Sequence, residues 1–266
     1  MIGFPYPKYM NSNSDVDMAA ALVMCSAERA RALGIPQDRW IFVHSGTDCH
    51  EHPFVSNRWS FTKTPAIEIG GRRALELAGT DIDGVDLVDL YSCFPSAVQL
   101  GARSLGLGLT STLTRTGGLP FAGGPWNNYV MHAIATVVRE LREGLGNRAL
   151  VWANGGYATK HAFGVYSTNP SPTGFRHDHP QDEIDALPRR DLAGVSEAAG
   201  SATIEAYTVM HTRDGDPERA LAACLLEDGR RAWGVTEDAD VAVAMCQGEW
   251  VGRDVTLDPS GTLLVS

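Results

Sequence analysis

The sequence predicts an α/β domain, layered α-β-α, followed by a small β-barrel domain of the OB type. Three observations carry this. Helical and strand-like periodicities alternate from about residue 39 to 170. A turn rich in glycine and proline, Gly117-Gly118-Leu119-Pro120-Phe121-Ala122-Gly123-Gly124-Pro125, interrupts them and leads into an amphipathic helix. After Gly200 the pattern changes to short β-rich runs divided by Asp-Gly turns.

Residues 1–14 read as an extended arm punctuated by Pro5 and Pro7. Asp17 to Leu33 fits either one Ala- and Leu-rich helix or a strand over Ala20–Cys25 followed by a short helix. In the second reading Ser26 caps that helix and Gly34 stops it. Trp40 to His44 has strand composition. His44, Cys49, His50, Glu51 and His52 form a cluster, but Cys49-His50-Glu51-His52 reads as a loop without the one-face geometry a zinc site needs, so no metal is expected. Thr64-Pro65 opens a helix that runs to Gly79, with threonine as its cap. Val85–Leu90 reads as a buried strand and Phe94–Leu105 as a helix. In the helix after the Gly-rich turn, Val130, Ile134, Val137, Val138 and Leu141 recur at helical spacing, and Asn127 and Asn128 stand where caps belong. Ala149–Ala153 and His161–Ser167 are strands around Asn154-Gly155-Gly156-Tyr157.

Pro170, Pro172, Pro180 and Pro188 mark a linker with room for a short helix, in which His177-Asp178-His179 reads as solvated surface. Beyond Gly200, five β runs are expected: 202–211, 219–226, 231–236, 241–246 and 261–265.

Composition narrows the function. With 266 residues, 44% hydrophobic and 20% charged, the chain is globular with room for two domains. A net charge of −10 argues against nucleic acid. No apolar run is long enough to span a bilayer, and the first residues lack a signal-peptide pattern. The five scattered cysteines fit reduced thiols in the cytoplasm.

Taken in order, three stretches resemble the motifs of the C-terminal half of a thiolase, in the branch related to sterol-carrier-protein thiolases that carries an additional C-terminal β-domain. Asp89-Leu90-Tyr91-Ser92-Cys93-Phe94 sits where thiolases have Asn-Glu-Ala-Phe and the sterol-carrier branch His-Asp-Cys-Phe. The Gly-rich turn sits at the Gly-His-Pro motif, and Ala153-Asn154-Gly155-Gly156-Tyr157 at the Cys-x-Gly-Gly-Gly motif. The resemblance implies four parts. Residues 1–38 are the remnant of a thiolase N-terminal domain, 39–170 the C-terminal domain, 171–199 a linker and 200–266 the additional OB-like domain. It also implies that Ala20–Cys25 belongs to a sheet whose other strands lie outside this sequence, leaving a sticky edge.

Claisen chemistry on an acyl-CoA needs a thiolate nucleophile, a base for the proton α to the thioester, and oxyanion donors. By resemblance, the histidine position holds Gly124 and the late cysteine position Ala153, neither of which can move a proton. The segment that bears the nucleophile has no counterpart here. The resemblance therefore implies an acetyl-CoA-acetyltransferase-like protein that binds CoA thioesters of lipid, fatty-acid or sterol side-chain metabolism without ordinary thiolase turnover. No covalently bound cofactor is expected, and the partners are an acyl-CoA and a missing N-terminal half or another subunit.

Tyr91 and Tyr157 are the candidate catalytic residues, because an aldolase-type branch uses tyrosine where thiolases use their usual groups, which leaves open a retro-aldol-type reaction using Tyr91. With a reference pKa of about 10, either phenol needs help to act as a base. The alternatives are that both tyrosines fill space left by lost groups, or that the chain is a non-catalytic CoA-ester scaffold. Candidate binding residues are Asn13, Ser14, Gly118, Gly123, Gly124, Pro125, Asn154, Gly155 and Gly156, and Cys93 is read as packing.

Overall fold

The computed structural model describes residues 1–265 and divides the chain into two compact units. One comprises Asn11–Pro53 and Thr62–Leu187, the other Met1–Met10, Phe54–Phe61 and Pro188–Ser266. No described helix is long and apolar enough to cross a membrane.

The first unit opens with an extended segment and helix α1 (Ala27–Ala32), capped by Ser26, whose Oγ accepts from Arg29 N. Then follow β1 (Phe42–His50), α2 (Pro65–Leu77), β2 (Leu87–Asp89), α3 (Pro95–Leu105), a single turn α4 (Leu119–Ala122) and α5 (Tyr129–Arg142). Strands β3 (Arg148–Gly155), β4 (Lys160–Ser167) and β5 (Arg176–Asp178), then α6 (Gln181–Asp185), complete it. The sheet runs β2-β3-β4-β1-β5, parallel at β2/β3 and β1/β5 and antiparallel between.

Period-two alternation sorts the strand residues between two helical layers. Val88, Leu90, Leu150 and Trp152 pack under α2 and α3. Leu87, Ala149 and Val151 pack against Tyr129, Ala133, Val137 and Leu141 of α5. This is the layered α-β-α arrangement expected. Helix α2 lies close because a Cβ on Gly71 would run into Leu105 and Phe163.

Several local expectations are corrected. Residues 20–25 are extended but pair with nothing, and no helix covers 17–25. Cys49 and His50 are in β1, not in a loop. Thr64 makes no side-chain cap. Instead the buried Glu51 carboxylate accepts from Ala66 N at 3.2 Å, so a negative charge meets the positive end of α2. The stretch expected as a linker holds β5 and α6, and the exposed His177 and His179 both bond Asp48 of β1, at 2.7 and 3.0 Å.

The second unit contains β6 (Gly200–His211), β7 (Pro217–Leu226), β8 (Arg231–Thr236), α7 (Ala239–Gln247), β9 (Asp254–Leu257) and β10 (Leu263–Leu264). Its sheet, β10-β9-β6-β7-β8, is antiparallel and curls into a half-barrel until Val235 and Thr262 meet in one parallel bridge. A helix, α7, lies between its third and fourth strands. Gly215 (φ 95°) and Gly229 (φ 82°) make the two expected hairpin turns. Residues 241–246 were expected as a strand but form α7. Asp238 accepts from Asp240 N and Val241 N, and Ala242 and Met245 point inward one helical turn apart. Strand β9 was not anticipated.

Arg231 is wholly buried in this unit. It forms a two-pronged pair with Glu205 (2.8 and 2.9 Å), donates to Ser56 O and Arg58 O, and lies 4.1 Å over the Phe61 ring. Replacing Arg231 with methionine strands the Glu205 carboxylate. Urea unfolding of this unit should show a loss of about 3–5 kcal/mol, partly recovered by adding Glu205→Leu.

Candidate functional site

Three loops of the first unit meet at the ends of its central strands: Leu90–Phe94 after β2, residues 115–125, and the β3–β4 hairpin. Asp89, fully buried, anchors the first two. Its carboxylate accepts from Arg115 N at 2.7 Å and from the Tyr129 hydroxyl at 3.3 Å. Burial raises its pKa to about 6, partly opposed by those donors. Burial, and then the Asp89 charge, push the Tyr129 hydroxyl upward, so it stays protonated and able to donate. Thr116 Oγ1 bonds Tyr129 Oη at 2.7 Å and accepts from Gly118 N at 3.2 Å, while Ser92 Oγ accepts from Leu119 N at 3.1 Å.

The Gly-rich stretch takes positive φ at Gly117, Gly118 and Gly123 (94°, 85° and 96°), a backbone that favours glycine. Residues 12 and 13 stitch it to the other loop. Ser12 N donates to Cys93 O (2.9 Å), Asn13 N to Leu119 O (3.2 Å), and Gly124 N to Asn13 O (2.7 Å). A Cβ at position 124 would fall on Ser12 Oγ, and one at 123 would lie 2.6 Å from Met18 Sδ. A side chain at 124 would therefore have to turn the Ser12 hydroxyl away. Pro125 centres an inverse γ-turn, in which Trp126 N donates to Gly124 O at 2.7 Å. Trp126 follows at φ 51° with 77% of its surface exposed.

The third loop joins through Asn154. Its Nδ2 lies 3.9 Å from Cys93 Sγ, and its Oδ1 is buried without a hydrogen-bond partner. Burial raises the Cys93 thiol pKa despite donors from Phe94 N and Asn154. Gly124, Asn13, Asn154 and Cys93 are thus linked in one chain of contacts through Ser12. Gly118 joins through Thr116.

The tyrosines differ. Tyr91 is half-buried, edge-on to Tyr129 with ring centroids 5.4 Å apart, and its hydroxyl is raised by burial and then by Cys93. Tyr157 is in the β3–β4 turn with 83% exposed, flanked by Gly156 at φ 66° and Ala158 at φ 49°. Gly155 pairs with Lys160 in the hairpin, and Ser14 is exposed. Asn128 does not cap α5, contrary to expectation. Its Nδ2 reaches back to Met18 O at 3.2 Å, and the preceding 3-10 turn leads the chain into the helix.

Sequence reasoning missed Ser12 and the anchoring role of Asp89; Cys93 packs against the core under α5, as read, and is also where two loops join. The run Asp89–Cys93 was the available signal, because a carboxylate at the end of a buried strand needs donors. A hollow of about 430 Å³ lies beside this junction. Met18 and Ala20 of the extended segment, Arg115 and Thr116, and His132 and Arg139 of α5 are among its walls. Tyr91, Gly124 and Asn154 are not in its lining.

Comparison with known proteins bears on both units. Residues 180–262 match the family described as the thiolase-like protein type 1 additional C-terminal domain. The crystal structure of a monomeric SCP2-thiolase like protein type 1 from Mycobacterium smegmatis superposes on the whole chain with a TM-score of 0.83 and 34% identity. The acetyl-CoA acetyltransferase of Methanocaldococcus jannaschii is 27% identical over 78 residues, 29% of this chain. The chain spans 59% of the mycobacterial structure and the aligned stretch 20% of the archaeal protein.

Two measurements check this geometry. Gly124→Ala should cost about 1–3 kcal/mol in chemical denaturation through overpacking, and Ser12→Gly in the same chain should recover most of it. A coupling energy near zero would contradict the packing at 124. For Asp89, the folded pKa lies above the unfolded one, so the folded state holds its proton longer. Stability relative to Asp89→Asn should fall between about pH 4 and 6, by at most about 1.4 kcal/mol per pH unit, and stay level above that window.

Proposed function

We propose that this thiolase-like chain, with the additional C-terminal domain of thiolase-like protein type 1, forms part of a protein that binds CoA thioesters without running cysteine–histidine thiolase chemistry. The observation that carries this is Ser12 beneath Gly124. Where the thiolase pattern has an imidazole, this chain has a glycine whose side-chain space is taken by the Ser12 hydroxyl. Ala153 likewise offers no proton carrier.

The groups that remain suit binding better than turnover. Glycines at positive φ bring backbone close to a ligand, and the Asn154 amide is held beside Cys93 by the strands below it. An amide there can donate to a thioester carbonyl. Cys93 and Tyr91 both have raised pKa values, so at neutral pH each is a neutral donor rather than a base. This weighs against a retro-aldol role for Tyr91, whose ring is packed against Tyr129.

On this reading the ligand is an acyl-CoA of lipid, fatty-acid or sterol side-chain metabolism, held without a covalently bound cofactor. The compartment is the cytoplasm, and a further polypeptide completes the cleft. Asn13, Ser14, Gly118, Gly123, Pro125, Gly155 and Gly156 would border the ligand. Tyr157, at the exposed turn, would contact it without taking part in chemistry.

Calorimetric titration with acetyl-CoA should give a dissociation constant of about 10–100 μM, weakened about tenfold by Asn154→Ala, equivalent to about 1.4 kcal/mol. Acetoacetyl-CoA thiolysis should remain at least about a hundredfold below that of an ordinary thiolase assayed in parallel, as expected without acid–base partners. Thiolysis at the ordinary rate, or no acetyl-CoA binding, would overturn the reading.

A further inference from the structure

The second unit holds a thiol and an imidazole that lie outside the three loops described above. Cys246 is in the last turn of α7 and His211 at the end of β6, with Sγ 3.9 Å from Nε2. The other ring nitrogen, Nδ1, lies 3.0 Å from Val209 O. A carbonyl only accepts, so Nδ1 carries the proton and Nε2 presents its lone pair to the thiol. A nucleophile within reach of a base, with the base oriented by a third group, is the arrangement nucleophilic catalysis starts from, and such contacts are looser before substrate binds.

The fold positions both partners. Tyr207, Val209 and His211 alternate along β6 toward the face that α7 covers. His211 N donates to Ile2 O at 3.1 Å, and Val209 O, which holds the ring, also accepts from Phe4 N at 2.8 Å. The arm at residues 2–4 thus fixes this end of the strand. On the helix side, Trp250 Nε1 donates to Ala244 O at 3.2 Å and Tyr207 Oη to Gly248 O at 2.9 Å, on either side of Cys246 in the chain. Cys246 and His211 are both only half-buried, so a small reagent reaches them. Burial still raises the Cys246 thiol above its ordinary range, and the carbonyl end of α7 disfavours a thiolate. The resting group is therefore a neutral thiol that needs a base to react.

We infer that Cys246 and His211 form a second reactive centre, at which the thiol accepts an acyl group from a thioester. The substrate class rests on the thioester reading above, whereas the pair itself does not. His211 Nε2 takes the thiol proton as Sγ bonds to the acyl carbon. The bond from that carbon to the departing sulfur breaks, and the proton passes to the departing thiolate. One thioester is exchanged for another, with no oxidant or reductant. No carbon–carbon bond is made or broken, so the step is compatible with a chain that does not run thiolase chemistry. Val243, one turn before Cys246 on the same side of α7 and exposed, offers apolar surface beside the acyl group.

The test uses the full chain with acetyl-CoA and, separately, with the acetyl thioester of N-acetylcysteamine, which carries no nucleotide. Peptide mass spectrometry should find a hydroxylamine-labile acetyl group on Cys246, formed at least about tenfold faster than on the exposed Cys25. His211→Gln keeps a side-chain donor for Val209 O but supplies no base, and should slow acetylation of Cys246 at least about tenfold with the melting temperature unchanged. His211→Ala should be slowed as much and partly rescued by added imidazole, which a purely structural role would not allow. Acetylation no faster than at Cys25, or a rate indifferent to both substitutions, would overturn the inference. If acetyl-CoA binds calorimetrically while neither thioester modifies Cys246, this inference fails and the thioester-binding proposal stands. If the N-acetylcysteamine thioester modifies Cys246 through His211 while acetyl-CoA does not bind, the reverse holds.

Discussion

Three backbone hydrogen bonds from a two-residue strap hold the candidate site together. Ser12 and Asn13 bond the loop after β2 and both ends of the Gly-rich stretch, and the Ser12 hydroxyl occupies the place a β-carbon on Gly124 would take. Steric exclusion of this kind is less negotiable than electrostatic tuning. In an interior packed to crystal-like density, an imidazole at 124 would have to displace the Ser12 side chain and crowd Leu119. Loss of the proton-carrying side chain and closure of the loop are therefore one structural fact.

Beneath the strap, polar groups are buried in a connected set. Asp89, Tyr129, Thr116 and Ser92 fix the loops through hydrogen bonds rather than through apolar packing, at the end of a sheet whose faces are otherwise filled by Leu, Val and Trp side chains. A satisfied buried network specifies one geometry, because each member left unpaired would cost more than its bond contributes. Asn154 Oδ1 departs from that rule: buried, unpartnered and beside Cys93, it is a polar atom placed where a ligand could satisfy it.

Much of this was readable beforehand. The order of strands and helices in the α/β unit followed from periodicity, and the two hairpins of the second unit from Arg213-Asp214-Gly215 and Glu227-Asp228-Gly229. What failed did so for identifiable reasons. Val-Ala-Val-Ala-Met-Cys carries strand and helix periods at once, and only the Asp238 cap decides between them. Thr64 looked like a cap, but a distant carboxylate, Glu51, reaches the helix end first. Ala20–Cys25 has the composition of a strand, but with no neighbour to pair with it forms none. Within the site, motif spacing located the three loops. The contact between Ser12 and Gly124 spans more than a hundred residues and leaves no local signature.

The account stands most directly on the state of the Cys93 thiol, a potential proton carrier where the loop after β2 meets the β3–β4 hairpin. Iodoacetamide labelling across pH, read peptide by peptide with the exposed Cys25 as internal reference, reports it. The account predicts that Cys93 labels more slowly than Cys25 at neutral pH, with a profile displaced to higher pH, and that acetyl-CoA slows it further. Rapid labelling of Cys93 at neutral pH, marking a thiolate ready for catalysis, or labelling indifferent to acetyl-CoA, would contradict it.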